Sequence, residues 1–451
     1  MITTKRSSIV NRRNFLGVSG TIALTPLIGS RESSIAINGV EPNERNTEQI
    51  EKIAGLTPDE LLSQYRHYLF DDFLPFMDKF IIDHEMGGFL CNTDRSGKNL
   101  TLNKRAWFDG RGIWVYSFLY NRVKRDPSYL ETSKKTVDLV LRIQPNTNEF
   151  WPGSYTREGI PLPDTVADIY GNLFIAEGLA EYSKACGDTK YWNMAKGILL
   201  SCLSIYDRED YVYPVDYGPS PPFAHAPRVL GHWMVFLRTA SCLLRHKPDP
   251  EIEKIAGRSI DAIMNYHYNP QFALLNEALH HDLSRPEGPF SQFVYTGHAI
   301  ETLWMVMDEA LRTRDRKLFD LASERLKRHV EVAWDDVYGG VFRSLDDVEH
   351  NIWKLDKVLW AQEEVLIGTL CMIEHTGDPW AFDWFDRMYR YVLDKYLLEK
   401  HGFALWNIGG DRKMTFVEEG ARVENYHHPR HLMLNILSLE RIISAGGKVV
   451  F

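Results

Sequence analysis

From about residue 58 onward, apolar residues recur at i, i+3, i+4 and i+7 in segments of about twelve residues or more. Stretches rich in Gly, Pro, Asn and Asp separate them. The segments begin near 58, 107, 130, 169, 189, 228, 250, 293, 315, 354, 378 and 424. Alternate members, those near 107, 169, 228, 293, 354 and 424, follow one another at roughly 60 to 70 residues. A period that long, with two helices per unit, implies stacked helical hairpins, and six hairpins can close into a ring of inner and outer helices. The expected fold is all-α, an (α/α)6 barrel of six helical hairpins over 58–451. An open solenoid is the rival architecture, but open stacks usually carry more repeats and recognisable capping units. Asp83-x-x-x-Gly87-Gly88-Phe89 and Asp336-x-x-Gly339-Gly340-Val341-Phe342 look alike, and the alternation around them predicts short β-hairpins at one mouth of the barrel.

The first residues follow another logic. Lys5, Arg6, Arg12 and Arg13 precede a modest apolar stretch that ends near Ile28 and is too short to span a bilayer. Arg12-Arg13-x-Phe15-Leu16 resembles the twin-arginine export signal of bacteria, so 1–36 is expected to be an export signal and the destination the periplasm. Ser34-Ile35-Ala36 is the candidate cleavage site. Residues 37–57, with Asn38, Gly39, Pro42, Asn43 and Asn46, read as a polar linker. No membrane association is expected beyond the signal.

A net charge of -9 with no basic stripe gives no reason to expect a nucleic-acid partner. The five cysteines include no Cys-x-x-Cys pair, which argues against a disulfide framework or a zinc knuckle. Aromatic residues make up 12% of the chain, with 12 Trp, and flat rings with a polar edge suit the C–H faces of sugars.

Helices that point into a barrel should be apolar, so polar residues in the inner segments need a hydrogen-bonding or ligand-binding reason. The first inner segment carries Asp109, Arg111 and Trp114, and the second opens with Tyr170-Gly171-Asn172. In the fourth, His298 and Glu301 are three residues apart on one face, where the carboxylate can orient the imidazole, and Trp304 follows. In the fifth, Lys357, Trp360 and Glu364 share a face within an apolar run. The last, Glu424 to His431, starts a helix whose Pro429 is tolerable only in the first turn, with His427 and Arg430 facing the same way. His427 and His431 at i, i+4 have a zinc-chelating spacing, but no His-Glu-x-x-His occurs and no third ligand is evident, so no metal is expected.

These segments, in this order, resemble the N-acylglucosamine 2-epimerase and cellobiose 2-epimerase family from about residue 60 to 445. The resemblance is carried by Gly87-Gly88-Phe89, Gly110-Arg111 through Trp114, Gly297-His298 with Glu301 and Trp304, then Lys357, Trp360, Gln362 and Glu364, and His427-x-Pro429-Arg430. It implies a funnel-shaped cavity for a free reducing sugar, with His298 and His427 as the acid/base pair. Arg111 and Glu364 fall on residues the family also uses. His427, rather than its neighbour His428, is taken as the inward-pointing residue because of the Pro-Arg that follows. One departure stands in the third inner helix, where cellobiose-type members carry a His-x-Leu-Glu-Ala histidine and this chain has Val235-Phe236-Leu237-Arg238-Thr239-Ala240. His232 lies one turn earlier.

Inverting C2 of an aldose requires removing a hydrogen made acidic by the C1 aldehyde and returning a proton on the opposite face. Two histidines on different helices suit both tasks, because an unperturbed imidazole titrates near pH 6.5. Arg111, with Arg430, is expected to stabilise the enediolate, and Glu301 and Glu364 to orient the histidines. Trp114, Trp304 and Trp360 are expected to wall the sugar, with Asn172 and Lys357 as further binding residues. No redox cofactor is needed, and the sequence leaves a homodimer open. Rival readings are an aldose–ketose isomerase through the same enediolate, a glycoside hydrolase drafting Asp109, Glu301 and Glu364, and a non-catalytic sugar binder.

Overall fold

A helix that is apolar around its whole circumference can be stable only if other elements surround it. Six helices are buried on nearly all sides and are so surrounded: α2 (Ala106–Phe118), α4 (Ile169–Cys186), α6 (Leu230–His246), α8 (Thr296–Thr313), α10 (Leu359–Thr376) and α12 (His427–Ser444). Alternating with them in the chain are α1 (Pro58–His67), α3 (Pro127–Arg142), α5 (Thr189–Tyr206), α7 (Pro250–Asp261), α9 (Arg316–Ala333) and α11 (Pro379–Tyr396), each with one buried and one solvated face. The first set forms the inner ring of an (α/α)6 barrel and the second the outer ring, as the repeat period predicted. These observations come from a computed structural model that describes residues 49–451 except 95–96, 147–148, 164, 214, 216, 219–226, 399–405 and 416–424.

The ring closes where Asn425 Nδ2, just before α12, donates to Phe108 O of α2 at 2.9 Å and the Tyr426 ring meets Trp114 edge-on. Helix α1 continues past His67 in wider π turns, Tyr68–Phe73 and Met77–Ile81. Gly110 and Gly178 let α2 and α4 pack unusually close. A Cβ on Gly110 would lie 2.6 Å from backbone atoms of Phe174 and Ile175, and one on Gly178 would lie 2.6 Å from Gly110 O.

The two ends of the barrel are built differently. At one end α4, α6, α8 and α10 turn into the next outer helix within two or three residues, and Asp188, Asp249, Asp315 and Asp378 cap the helices that follow. At the other end the chain crosses from outer to inner helix through long segments, 82–105, 143–168, 207–229, 262–295, 334–358 and 397–426. These carry the predicted β-hairpins. Two-residue strands Lys104–Arg105, Arg228–Val229, Val294–Tyr295 and Lys357–Val358 run directly into α2, α6, α8 and α10, so the first turns of the inner helices converge at this mouth. The fifth inner helix starts at Leu359 rather than near 354 because Lys357 and Val358 pair with Gly410 and Gly409.

The two Gly-Gly segments are matching clamps, and their aspartates are Asp83 and Asp335, one residue before the expected Asp336. Asp83 accepts from Lys104 Nζ at 2.9 Å and Arg157 Nε at 2.7 Å. Asp335 accepts from Lys357 Nζ at 2.8 Å and Arg412 Nε at 2.9 Å. Burial works against ionisation of Asp335, but Arg412 and Lys357 outweigh it and hold the carboxyl below its usual range.

The proposed export signal lies outside the described residues. Residues 49–57, expected as linker, belong with the barrel: Ile50 and Ile53 are buried, Ile50 N donates to Gly447 O at 2.8 Å, and Thr57 caps α1. Among the described residues no helix is long and apolar enough to cross a membrane.

Candidate active site

His298 is the third residue of α8, at the mouth. Its Nδ1 lies 3.0 Å from Glu277 Oε1, and Tyr217 Oη donates to the same oxygen at 2.8 Å. Glu277 is fully buried, whereas the His298 side chain is 17% exposed, so of the pair only the imidazole is accessible at the mouth. A neutral ring that donates Nδ1–H to this carboxylate leaves Nε2 as a free base. Burial is the largest influence on His298 and pulls its pKa down, but Glu277, with Glu301 farther off, more than compensates and the net shift is upward.

His427 is the first residue of α12, which places Pro429 in the opening turn where its missing N–H costs nothing. Nδ1 of His427 donates to Glu364 Oε1 at 2.9 Å. Arg430 Nη2 donates to the same oxygen at 2.5 Å and to Glu301 Oε1 at 2.6 Å, which brings it within 3.0 Å of the imidazole. Trp304 Nε1 holds the other oxygen of Glu364 at 2.6 Å. Burial raises the pKa of Glu364, with Arg430 and Trp304 opposing.

Trp360 adjoins both histidines, its ring 5.9 Å from that of His298 and 5.1 Å from that of His427. Gly297 makes room for it, since a Cβ there would sit 2.3 Å from the indole. Arg111, 8% exposed, stacks on Phe174 at 4.1 Å, Tyr426 at 4.8 Å and Trp107 at 5.3 Å. It is also a nearby positive charge that lowers the pKa of His298. The site therefore brings His298, His427, Trp360 and Arg111 together at one mouth, each imidazole fixed through Nδ1 by its own buried carboxylate.

Other expected residues stand elsewhere or do something else. Glu301 is the hydrogen-bond partner of Arg430 and not of His298, whose Nδ1 is taken by Glu277. Arg430 is buried between Glu301 and Glu364, so its charge serves those carboxylates rather than a sugar oxyanion. Trp304 orients Glu364 and stacks on Arg430 instead of walling the sugar. Lys357 points into the Asp335 clamp. Asn172 accepts from Trp151 N at 2.8 Å and donates to Glu149 O, fixing a connecting loop. Trp114 stacks on Phe118 and lines a separate cavity of about 610 Å³, with Arg238, Asp308, Glu374 and Arg441, formed by the C-terminal halves of the inner helices.

Asp109, drafted for hydrolysis, accepts from Phe89 N and from the Tyr155 hydroxyl. Burial, against Tyr155 and Lys104, lifts its pKa to about 6. His232 is enclosed by Tyr170, Tyr206, Tyr211 and Tyr213, where burial keeps its pKa well below the usual value, so it faces aromatic core. His427 and His431 do not form a metal pair, since His431 turns toward Tyr65 and Glu363. Glu277 and Tyr217 were missed. Glu277 is the lone charge in the apolar run Phe272 to Leu279, and that isolation was the available signal.

Residues 87–428 match the sequence model of the N-acylglucosamine 2-epimerase (GlcNAc 2-epimerase) family. The N-acylglucosamine 2-epimerase of Bos taurus is 25% identical over 376 residues, covering 80% of this chain and 87% of its own length. Among solved structures, the cellobiose 2-epimerase of Spirochaeta thermophila DSM 6192 superposes with a TM-score of 0.71 at 19% identity, over 86% of this chain and 98% of that one. A D-mannose isomerase superposes at 0.67 and 12% identity, over 85% and 97%. The two structural likenesses bear on the fold alone, while the sequence match spans both histidines and most of the barrel. The chain belongs to the N-acylglucosamine 2-epimerase family.

Proposed function

We propose that the chain is a sugar 2-epimerase in which His298 and His427 exchange the proton at C2 of a ring-opened aldose. The observation that carries this reading is the pair of imidazoles that both meet the Trp360 ring, each held through Nδ1 by a separate buried carboxylate, Glu277 or Glu364. One neutral imidazole takes the C2 proton on its Nε2, the C2–H electron pair moves into the C1–C2 bond, and the carbonyl oxygen becomes the enediolate oxyanion. The other, protonated, returns a proton to the opposite face and the carbonyl re-forms. Electrons stay on the sugar skeleton. Each buried carboxylate stabilises the imidazolium that appears on its own side, and Arg111 supplies positive charge at the oxyanion.

A hydrolytic reading loses its carboxylates, because Asp109 is tied to Phe89 and Tyr155, and Glu301 and Glu364 share one arginine. The test is NMR product analysis after incubation with glucose, mannose, cellobiose, N-acetylglucosamine and N-acetylmannosamine in deuterated water. The expected product is a C2 epimer carrying deuterium at C2. A ketose labelled at C1 would instead identify an aldose–ketose isomerase.

The same proposal places the mature protein in the periplasm, on the strength of Arg12-Arg13-x-Phe15-Leu16. Five cysteines with no disulfide among them, three of them buried, fit a chain that folds in a reducing compartment before transport.

A further inference from the structure

Two Glu–His pairs stand back to back across α10 and α12. Glu364 and His427 pair on the side of Trp360 and have Arg430 as a fixed counter-charge. Glu363, one residue before Glu364, and His428, one after His427, pair against Phe73 of the π-turn segment after α1 and against Trp406. Among the described residues, the ion-pair partners of Glu363 are the imidazoles of His428 and His431 alone.

All three side chains are buried, and one potential ligand atom from each lies within 4.8 Å of the other two. Glu363 Oε1 is hydrogen-bonded by His428 Nδ1, and His431 Nδ1 lies 3.4 Å from the same oxygen without forming a hydrogen bond. Glu363 Oε2 and His428 Nε2 also lack hydrogen-bond partners among the described residues. The other ring nitrogen of His431, Nε2, lies 3.0 Å from Tyr65 Oη, which accepts from Asn435 Nδ2 at 3.0 Å. A hydrogen bond on the remote nitrogen is how proteins aim the near one at a metal. By contrast, the other His–carboxylate group, Glu301, Glu364 and His427, already holds the Arg430 guanidinium.

A buried carboxylate with no permanent cation is costly, and an ion among these atoms would remove that cost. Two imidazole nitrogens and one carboxylate oxygen suit a borderline divalent ion and not an all-oxygen magnesium or calcium site. In a tetrahedral shell with bonds of ~2.0 Å the ligand atoms stand ~3.3 Å apart, close to the His431–Glu363 separation. The His428–Glu363 contact reaches the same spacing by a small side-chain rotation. We propose that Glu363, His428 and His431 bind one divalent ion of the zinc class, with Tyr65 and Asn435 as supporting residues. The ion joins α10 to α12, and through Tyr65 to α1, one residue along from His427.

The test uses the full chain after chelator treatment, titrated with CoCl2 under visible spectroscopy and with ZnCl2 by calorimetry. One equivalent is expected, with the intense visible absorption of four-coordinate cobalt and a raised Tm on adding zinc. Glu363→Gln, His428→Gln and His431→Gln should each abolish that equivalent. Tyr65→Phe, which leaves all three ligands in place, should keep the stoichiometry and weaken affinity by ~10–100-fold. His427→Gln should retain the equivalent. The proposal is overturned if the wild type binds neither ion, or if binding survives His428→Gln and disappears with His427→Gln. Where a ligand variant does not fold, the wild-type cobalt spectrum and Tyr65→Phe decide.

Discussion

At the scale of single residues, the proposed acid–base pair His298 and His427 stand in different surroundings. Among the described residues no arginine pairs with the carboxylate beside His298, whereas the one beside His427 is shared with Arg430. Replacing either histidine by alanine should lower turnover by at least ~100-fold in a coupled or NMR assay, the lower range for loss of a positioned acid or base. Glu277→Gln is the more informative change. Glu277 is what lifts the His298 pKa against burial, so the limb of the kcat/KM–pH profile that belongs to His298 should move to lower pH in this variant. An unmoved limb would remove Glu277 from the site. The stability sign follows from the same shift. A raised imidazole pKa in the folded state contributes stability that is fully present below the unfolded value of about 6.5 and fades as pH rises through the folded value. The wild type should therefore lose its advantage over Glu277→Gln in denaturation midpoints as pH climbs above neutral.

At the scale of elements, the clamps explain why several polar residues near the mouth are not in the site. Lys357 was read as part of a helical face, but the backbone is still extended there and the ammonium reaches Asp335 across 22 positions. Lys357→Met leaves Asp335 buried with only Arg412, and should cost ~3–5 kcal/mol of stability. That loss should appear in urea midpoints, with kcat per folded molecule little changed. The depressed carboxyl of Asp335 adds stability above its unfolded pKa of about 3.9, and this is lost as pH falls below that value. The wild type and Lys357→Met should thus converge in acid. Helix packing carries a separate expectation. Gly110→Ala places a methyl against backbone of α4, which cannot rotate away, and should destabilise by ~1–3 kcal/mol by calorimetry.

At the scale of the whole molecule, one end of the barrel is closed by short capped turns and the other carries every long connection. This polarity puts the first turns of the inner helices, and with them His298, Arg111 and His427, at a single mouth. Export, if it follows the twin-arginine route, acts on the folded barrel. Arg12→Lys with Arg13→Lys should leave the activity in the cytoplasmic fraction of cells expressing the full chain, and unchanged fractionation would reject that route.

The number and starts of the helices were legible in the sequence because helical periodicity is local, repeating every 3.6 residues, and Gly, Pro and Asp mark the breaks. His298 and His427 also stood out as polar residues of inner helices, and the family resemblance put them forward as the candidate pair. What each of them touches was not legible. The carboxylate beside His298 comes from a loop 21 residues earlier rather than from Glu301 on its own helix, and the one beside His427 comes from 63 residues away. Residue spacing says which side chains share a face but not which face a neighbouring element turns toward it. The sequence by itself determined the repeat, the barrel and the pair of candidate acid–base residues. Only tertiary packing decided that Arg430 joins Glu301 to Glu364, that Trp304 holds Glu364, that Lys357 and Asn172 hold loops, and that Glu277 pairs with His298. The partner of a buried polar group is chosen by long-range packing, which local pattern does not encode.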